Sequence, residues 1–353
     1  MENTTYYYED ETAGMYAPCD KNEANNLGAQ LSILFYFMFV FSLLGNGLVL
    51  AIIYKFERLT TVTNILLLNL VVSSLIFMSS LPFWGIYMQM SRWIFGNAMC
   101  KIVGSTYYMG FYSSVLFLTL LTFDRHLAVV YSLPAAHLRN QKYAVISCAV
   151  VWLLSGLSCI RPMLIRGAFK YIDNKTYCEE TNSVNIDLEK LMNSGFYIQL
   201  IIFLILPLAV IIYCYIRITI TVVSSKIGTK FQTVRLIFII VLLFFICWTP
   251  FNIVELMEYK TKDCETLKKL SYTLQITRLM AYFYFCISPI FYTFVGRKFQ
   301  NYFRQLLIKY FPSLKKYISV NEISRTNIST KITSNELING GQNSLLTSQS
   351  EYV

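Results

Sequence analysis

Seven long segments without a single charged residue limit this chain to very few folds. A helix needs about 20 apolar residues to cross the hydrocarbon core of a bilayer, where its backbone must form all hydrogen bonds internally. The segments near this length are Gln30–Tyr54, Leu59–Ser91, Ile102–Phe123, Tyr143–Ile160, Leu191–Ile216, Leu236–Val254 and Leu279–Gly296. The last is short, so we expect its helix to begin nearer Leu270, which places Arg278 inside the bundle. The sequence therefore predicts an all-α membrane protein with a bundle of seven transmembrane helices.

The distribution of charge predicts the orientation of this bundle. Only 14% of the residues are charged, against about 25% in a soluble domain. The net charge of +10 would suit a nucleic-acid partner, but the bases instead occupy alternate connections between the segments: Lys55, Arg58, Arg125, Arg139, Lys142, Arg217, Lys226, Lys230, Arg235, Arg297, Lys298 and Arg304. By the positive-inside rule these connections are cytosolic. The predicted partner is therefore a lipid bilayer, at the plasma membrane, and not nucleic acid.

This orientation divides the chain into four regions. Residues 1–30 form an extracellular acidic amino terminus. Two sequons on the extracellular side, Asn3 in this region and Asn174 between the fourth and fifth spans, are open to glycosylation. Residues 31–296 form the bundle. Residues 297–311 alternate basic and apolar side chains at helical spacing, which predicts a short amphipathic eighth helix on the inner leaflet. Residues 312–353 are rich in serine and threonine and predict a disordered cytosolic tail.

Nine cysteines are present, and five of them fall within the apolar segments. The other four, Cys19, Cys100, Cys178 and Cys264, lie on the extracellular side, where oxidation is expected. Four cysteines allow three pairings, and their spacing does not choose among them. A zinc site is not expected, because the spacings are wide and both histidines lie on the cytosolic side. We predict no metal or other cofactor.

Each apolar segment carries a polar or helix-distorting feature. In chain order these are Gly45-Asn46, Asn69-Leu70, Pro82, Asp124-Arg125, Trp152, Pro207 with Tyr215, Cys247 to Pro250, and Ser288-Pro289 with Tyr292. Each has a bland explanation alone, since membrane helices tolerate proline and tryptophan. Together and in this order, they resemble the rhodopsin-like G-protein-coupled receptors.

Five short motifs narrow the resemblance to the chemokine receptors, closest to the CC and XC (lymphotactin) types, over about residues 15–310. The motifs are Ser80–Trp84, Trp93–Gly96 with Cys100, Asp124–Val130, Val234–Phe238 and Phe294–Phe299. The resemblance implies disulfides between Cys100 and Cys178 and between Cys19 and Cys264. It also implies a chemokine ligand, a heterotrimeric G protein of the inhibitory class, and arrestin and receptor kinases acting at the tail.

Chemokines are small and mostly basic, so their receptor needs an anionic capture surface. Tyr6, Tyr7 and Tyr8 are followed directly by Glu9, Asp10 and Glu11. Tyrosines beside acids are typical of sulfation sites, and sulfates would accept strong hydrogen bonds from ligand Arg and Lys. The alternative is a disordered acidic leader that steers a basic protein by long-range attraction alone.

The family resemblance also implies a second binding site at the outer ends of the spans. It consists of Trp84, Tyr107, Phe251, Glu255, Arg278 and Tyr282. An ionisable residue within a span is costly to bury and therefore indicates a function. The alternative for Arg278 is a structural ion pair with Glu255 or Glu258. Tyr107 replaces the aspartate of amine receptors and Tyr282 the retinal-binding lysine of opsins, which excludes both classes.

Activation is implied at the centre and the cytosolic end of the bundle. By resemblance, Trp248 and Pro250 form the pivot of the sixth span, and Pro289 belongs to the matching motif of the seventh. Asp124, Arg125, Tyr215 and Tyr292 would rearrange to admit a G protein.

Three residues depart from the family pattern: Ser74, Ser288 and His126. The first two replace the carboxylate and amide of the family's sodium site, leaving neutral hydroxyls at Ser74, Ser114 and Ser288 that suit a cation poorly. This predicts raised basal activity or biased coupling, with neutral drift as the alternative.

An atypical or virally captured scavenging receptor is the rival function. A transporter would show internal repeats, which are missing, and no set of residues converges into an enzyme site.

Overall fold

The computed structural model describes residues 22–56, 61–131, 140–170, 175–180, 188–225, 231–261, 263–295 and 297–313. Within these ranges, seven helical spans are long and apolar enough to cross a membrane. The helices are α1 Asn22–Phe56, α2 Val62–Ser79, α3 Leu81–Met90, α4 Gly96–Val130, α5 Gln141–Ser158, α6 Ile160–Ile165, α7 Leu188–Leu200, α8 Leu206–Ser225, α9 Phe231–Lys260, α10 Cys264–Val295 and α11 Arg297–Tyr310. The predicted seven-helix bundle is confirmed.

Three of the spans are made of two helices each. The second span joins α2 to α3, the fourth joins α5 to α6, and the fifth joins α7 to α8 through a π-helical turn at Ile201–Ile205. In the second span the break lies at Ser80, just before Pro82. In the fifth, the π turn directly precedes α8, whose second residue is Pro207. Proline lacks an amide hydrogen and crowds the preceding turn, which accounts for both irregularities.

The helices extend beyond the charge-free segments into the polar ends of the spans. In the third span, α4 runs from Gly96 to Val130 and takes in Asp124 and Arg125. In the seventh, α10 begins at Cys264, earlier than the expected Leu270, and Arg278 lies well inside it. Its start is set by Asp263, whose Oδ2 accepts hydrogen bonds from the Thr266 hydroxyl at 2.6 Å and the Thr266 amide at 2.9 Å. These bonds lower the pKa of Asp263, as expected for a carboxylate that caps a helix.

The largest side chains in the interior of the bundle are aromatic, and its outer surface is also apolar. Phe77, Phe111, Phe244, Trp248 and Phe285 are fully buried. Large apolar side chains are exposed on the outer face, among them Leu44, Phe37 and Leu153. An apolar surface of this extent is suited to lipid and not to water.

A short antiparallel hairpin, which the sequence analysis did not predict, covers one end of the bundle. Strand β1 (Arg166–Lys170) pairs with β2 (Thr176–Glu180), and Ala168 faces Cys178. The disulfide between Cys178 and Cys100 fastens the hairpin to α4 near its amino-terminal end. This pairing is the one that the resemblance implied. Cys264 is also disulfide-bonded, while its expected partner Cys19 lies outside the described residues.

Candidate functional site

Beneath the hairpin, the rings of three spans meet and form the floor of the outer pocket. The Tyr107 and Tyr282 ring centroids lie 6.1 Å apart, edge to face. Phe77 lies below both, 5.0 Å from Tyr107 and 5.4 Å from Tyr282. Trp84 stands to one side and contacts Trp93 at 5.9 Å. Because these rings come from the first half of the chain and from its end, the floor exists only when the bundle is closed.

One arginine that the sequence analysis missed, Arg166, reaches this pocket, and a second, Arg161, packs against the fifth span. The Arg166 guanidinium lies 5.5 Å from the Trp84 ring and 5.9 Å from the Tyr108 ring, which is within cation–π range. Each arginine packs against a glycine. A Cβ on Gly104 would lie 2.4 Å from Arg166 Cδ, and a Cβ on Gly195 would lie 2.1 Å from Arg161 Cζ. Glycine at these two positions therefore leaves the room that each guanidinium occupies.

Glu255 begins a chain of hydrogen bonds that leads from the pocket to Trp248. The Gln199 amide donates to Glu255 Oε2 at 3.2 Å and to Asn252 Oδ1 at 3.1 Å. The Asn252 amide then donates to the Trp248 carbonyl at 2.9 Å. The chain joins the fifth span to the sixth, and both Gln199 and Asn252 are buried.

The sequence analysis expected Arg278 to bind ligand or, alternatively, to form an ion pair with Glu255 or Glu258. Among the described residues, the structure gives it no ion pair with Glu255 or with Glu258. Glu258 instead accepts a hydrogen bond from the Ser271 hydroxyl at 3.0 Å. Arg278 is half-buried within α10.

Trp248 lies at the centre of the bundle and is fully buried. Its ring packs on Phe111 at 4.1 Å, on Phe244 at 5.8 Å and edge to face on Phe251 at 5.8 Å. Phe251 thus lies between the pocket and Trp248. Pro250 follows within the same helix, where the lost amide weakens one turn. This arrangement allows the outer half of the sixth span to bend relative to its inner half.

At the far end of the bundle, Asp124 and Arg125 form a polar cluster with Thr63. Asp124 is almost fully buried and accepts a hydrogen bond from the Thr63 hydroxyl at 2.9 Å. The Arg125 guanidinium contacts both Asp124 and Thr63. Nearby, the Tyr215 ring packs edge to face on Phe238 of the sixth span at 4.9 Å. The cluster ties the second span to the third, and Tyr215 ties the fifth to the sixth.

Pro289 of the seventh span is packed closely against the first span. A Cβ on Gly45 would lie 3.1 Å from Pro289 Cβ, so this contact depends on glycine. The side chain of Tyr292 lies outside the described residues.

The serines at the sodium-site positions are buried and neutral. The Ser74 hydroxyl donates to the Leu70 carbonyl at 2.9 Å, and the Ser114 hydroxyl pairs with that of Ser73 at 2.8 Å. Ser288 is also buried. In the described part of the chain, no three His, Cys, Asp or Glu residues gather into a metal site. The serines at positions 74, 114 and 288 therefore bring no formal charge to this part of the bundle.

His126 replaces a tyrosine of the family pattern and is almost fully buried. Its ring lies 5.5 Å from Tyr131 and 5.8 Å from Tyr213, and neither ring nitrogen has a hydrogen-bond partner among the described residues. A buried polar group without a partner is costly, and no residue described by the structure offsets that cost here.

Several predicted site residues lie outside the described residues. They are the capture cluster Tyr6, Tyr7, Tyr8, Glu9, Asp10 and Glu11, the glycosylation positions Asn3 and Asn174, and Cys19.

Comparison with known proteins gives one consistent result. Residues 45–292 match the family model of the 7 transmembrane receptor (rhodopsin family). The chain is 34% identical to human C-C chemokine receptor type 1, over 96% of this chain and 99% of that receptor. It is 35% identical to human C-C chemokine receptor type 4, over 82% and 81% of the two chains. It is also 34% identical to G-protein coupled receptor E1 of equine herpesvirus 2, over 87% and 85%.

Proposed function

The chain belongs to the rhodopsin family of seven-transmembrane receptors and, within it, to the chemokine receptors, and we propose that it binds a small basic chemokine and activates a heterotrimeric G protein. Proteins of this family are receptors and not enzymes, in agreement with the sequence analysis. The G protein proposed is of the inhibitory class, and the cellular results are calcium release and chemotaxis.

The hydrogen-bond chain from Glu255 to the Trp248 carbonyl is the observation that carries this proposal. A cationic ligand group bound to Glu255 would weaken the bond from the Gln199 amide, because a charged donor attracts a carboxylate more strongly than a neutral amide does. Gln199 also holds Asn252, which in turn holds the turn of helix next to Pro250. Ligand binding would therefore change the bend of the sixth span, and it would favour whichever bend the ligand binds more tightly.

The Asp124–Arg125–Thr63 cluster is the proposed cytosolic end of this mechanism. Movement of the sixth span past Tyr215 would open the space that a G protein enters. Arg125, once released from Asp124, would contact the G protein. Arrestin and receptor kinases would act on the Ser/Thr-rich tail, where added phosphates supply charge.

The proposed orientation places the amino terminus outside the cell. The Cys100–Cys178 disulfide supports it, because such bonds persist in oxidising compartments. The bases Lys55 and Lys142 lie at the opposite ends of their spans, and Arg297 begins α11 just after the seventh span, as the positive-inside rule requires for a cytosolic face. The acidic amino terminus, with Tyr6–Tyr8 sulfated, would then capture the basic ligand before its own amino terminus enters the pocket.

A chemokine panel on transfected cells tests this function. We expect one or more chemokines to lower cyclic AMP, raise calcium and recruit arrestin. Gln199→Leu, which keeps the apolar part of the side chain but removes both amide bonds, should change the signalling response more than surface expression. If no chemokine binds the expressed receptor, the proposed ligand class is wrong.

A scavenging receptor without G-protein signalling is the second candidate. The unpartnered His126 beside Arg125 and the likeness to a herpesvirus receptor favour it. Chemokine uptake without any fall in cyclic AMP would support scavenging, and restoration of the fall by His126→Tyr would assign the defect to this residue.

A further inference from the structure

A groove between the first span and α11 has no part in the function proposed above. It measures about 520 Å³, and Leu48 and Ala51 of α1 face Leu306 and Leu307 of α11 across it. Ala51 is exposed on the outer face of the bundle. The groove, called here the α1–α11 groove, is therefore an apolar slot that opens towards lipid.

Lys55 lines the polar end of the α1–α11 groove. The side chain of Lys309 lies next to that of Lys55. Lys55 Nζ is also 5.4 Å from the Phe56 ring centroid and 5.6 Å from that of Tyr310. Within the described ranges, neither lysine has a carboxylate partner. Two adjacent ammonium groups repel each other, and an anion placed between them would offset that repulsion.

We propose that the α1–α11 groove binds an anionic phospholipid whose headgroup ends in a phosphate monoester. The phosphate would lie between Lys55 and Lys309, and an acyl chain would follow the slot past Ala51 and Leu307. A phosphate monoester carries about 1.5 to 2 negative charges near neutral pH, which matches two ammonium groups better than the single charge of a diester. The inference rests on the proposed orientation, which places the groove at the anionic cytosolic leaflet, and it does not depend on the ligand.

The test uses the full-length purified receptor in nanodiscs of phosphatidylcholine. One set contains phosphatidate, and a second contains phosphatidylserine at equal surface charge. Lipids that stay bound after transfer to detergent are counted by native mass spectrometry. We expect the receptor to retain phosphatidate in preference to phosphatidylserine.

Single substitutions then locate the site. Lys55→Gln and Lys309→Gln should each lower phosphatidate retention by about fivefold, as expected for one basic residue near an anionic surface. Lys142→Gln is the matched control, because Lys142 is exposed at the start of α5, away from the groove, and should change nothing. Lys55→Arg keeps the charge and should keep the lipid. Ala51→Trp keeps both lysines but fills the slot, so it should also release the lipid.

Three results would overturn the proposal. Equal retention of the two anionic lipids, or an equal loss in Lys142→Gln, would mean that diffuse surface charge alone attracts lipid. Retention unaffected by Ala51→Trp would exclude the slot. Receptor pairs that Ala51→Trp disrupts, without any lipid preference, would assign the groove to a second copy of the chain. Because G-protein activation is not measured, failure of the proposed receptor function would leave these results unchanged.

Discussion

Replacing Cys100 with alanine removes the bond that fastens the hairpin over the outer pocket. The bond joins residues 78 positions apart, and the chain-entropy relation assigns about 4.5 kcal/mol to a closed loop of that length. This is an upper figure, because membrane helices within the loop already restrict the unfolded chain. Domains are stable by only about 5–15 kcal/mol, so even half of this loss would be large.

We expect Cys100→Ala to lower chemokine binding by more than the loss of folded receptor explains. Cys178 lies on β2, and Arg166 on the paired strand contacts Trp84 and the space beside Gly104. Without the disulfide the hairpin is no longer held against α4, and Arg166 loses its fixed position in the pocket.

The assay measures surface expression with an antibody to an amino-terminal tag, chemokine binding, and the midpoint of thermal unfolding. Cys100→Ala with Cys178→Ala separates loss of the bond from the effect of one unpaired thiol. Cys159→Ala is the matched control, since Cys159 is buried and free. A Cys100→Ala receptor that binds and signals normally would refute the role given to the hairpin.

Three further predictions concern the ligand-capture tyrosines, Arg125 at the cytosolic end of the bundle, and the buried serines at positions 74 and 288. Replacing Tyr6–Tyr8 with phenylalanine should weaken chemokine binding and flatten its salt dependence; an unchanged Kd at low and high salt would remove the cluster from the site. Arg125→Ala should abolish the fall in cyclic AMP while sparing ligand binding, and an intact fall would exclude its role in coupling. Agonist affinity should be nearly insensitive to sodium compared with a bulky organic cation at equal concentration. Ser74→Asp combined with Ser288→Asn should restore sodium sensitivity and lower ligand-free signalling. A sodium-specific loss of agonist affinity in the unmodified receptor would show that serine at these two positions has no functional effect.

The spans could be predicted from sequence because the bilayer imposes one length and excludes charge. Their ends could not, since a helix continues wherever its polar residues reach water or a partner. The starts of α4 and α10 illustrate this: each lies several residues outside its charge-free segment. At α10 the deciding interaction is local: Asp263 caps the helix by accepting a hydrogen bond from the Thr266 amide.

The sequence analysis placed its candidate site residues by family resemblance and by charge pattern, so it missed residues that neither criterion marks. Arg166 and Arg161 were missed because they lie at the end of the fourth span, next to the hairpin, where a basic residue has no distinctive pattern. Gly104 and Gly195 were the available signal, since each lies within a span and leaves room for an arginine. These two glycines can be interpreted only with the structure, which shows the guanidinium that packs against each of them.

The motif residues themselves show why partners cannot be predicted from such a sequence. Most buried serines and threonines bond to a carbonyl of their own helix, as Ser74 does, and specify no neighbour. By contrast, the Trp152 indole donates to Asn69 Oδ1 at 2.8 Å, and the Asn46 amide donates to the Phe285 carbonyl at 3.3 Å. Each of these bonds joins two spans. In lipid, helices gain little from burying apolar surface against one another, so packing and bonds of this kind, worth about 0.6 to 2 kcal/mol each, align the spans. The sequence displays the donor and the acceptor, but the pairing depends on the rotation of each helix, which an apolar segment surrounded by lipid does not encode. Asn69 and Trp152, recognised separately as features of the second and fourth spans, are thus one interaction that joins the two spans.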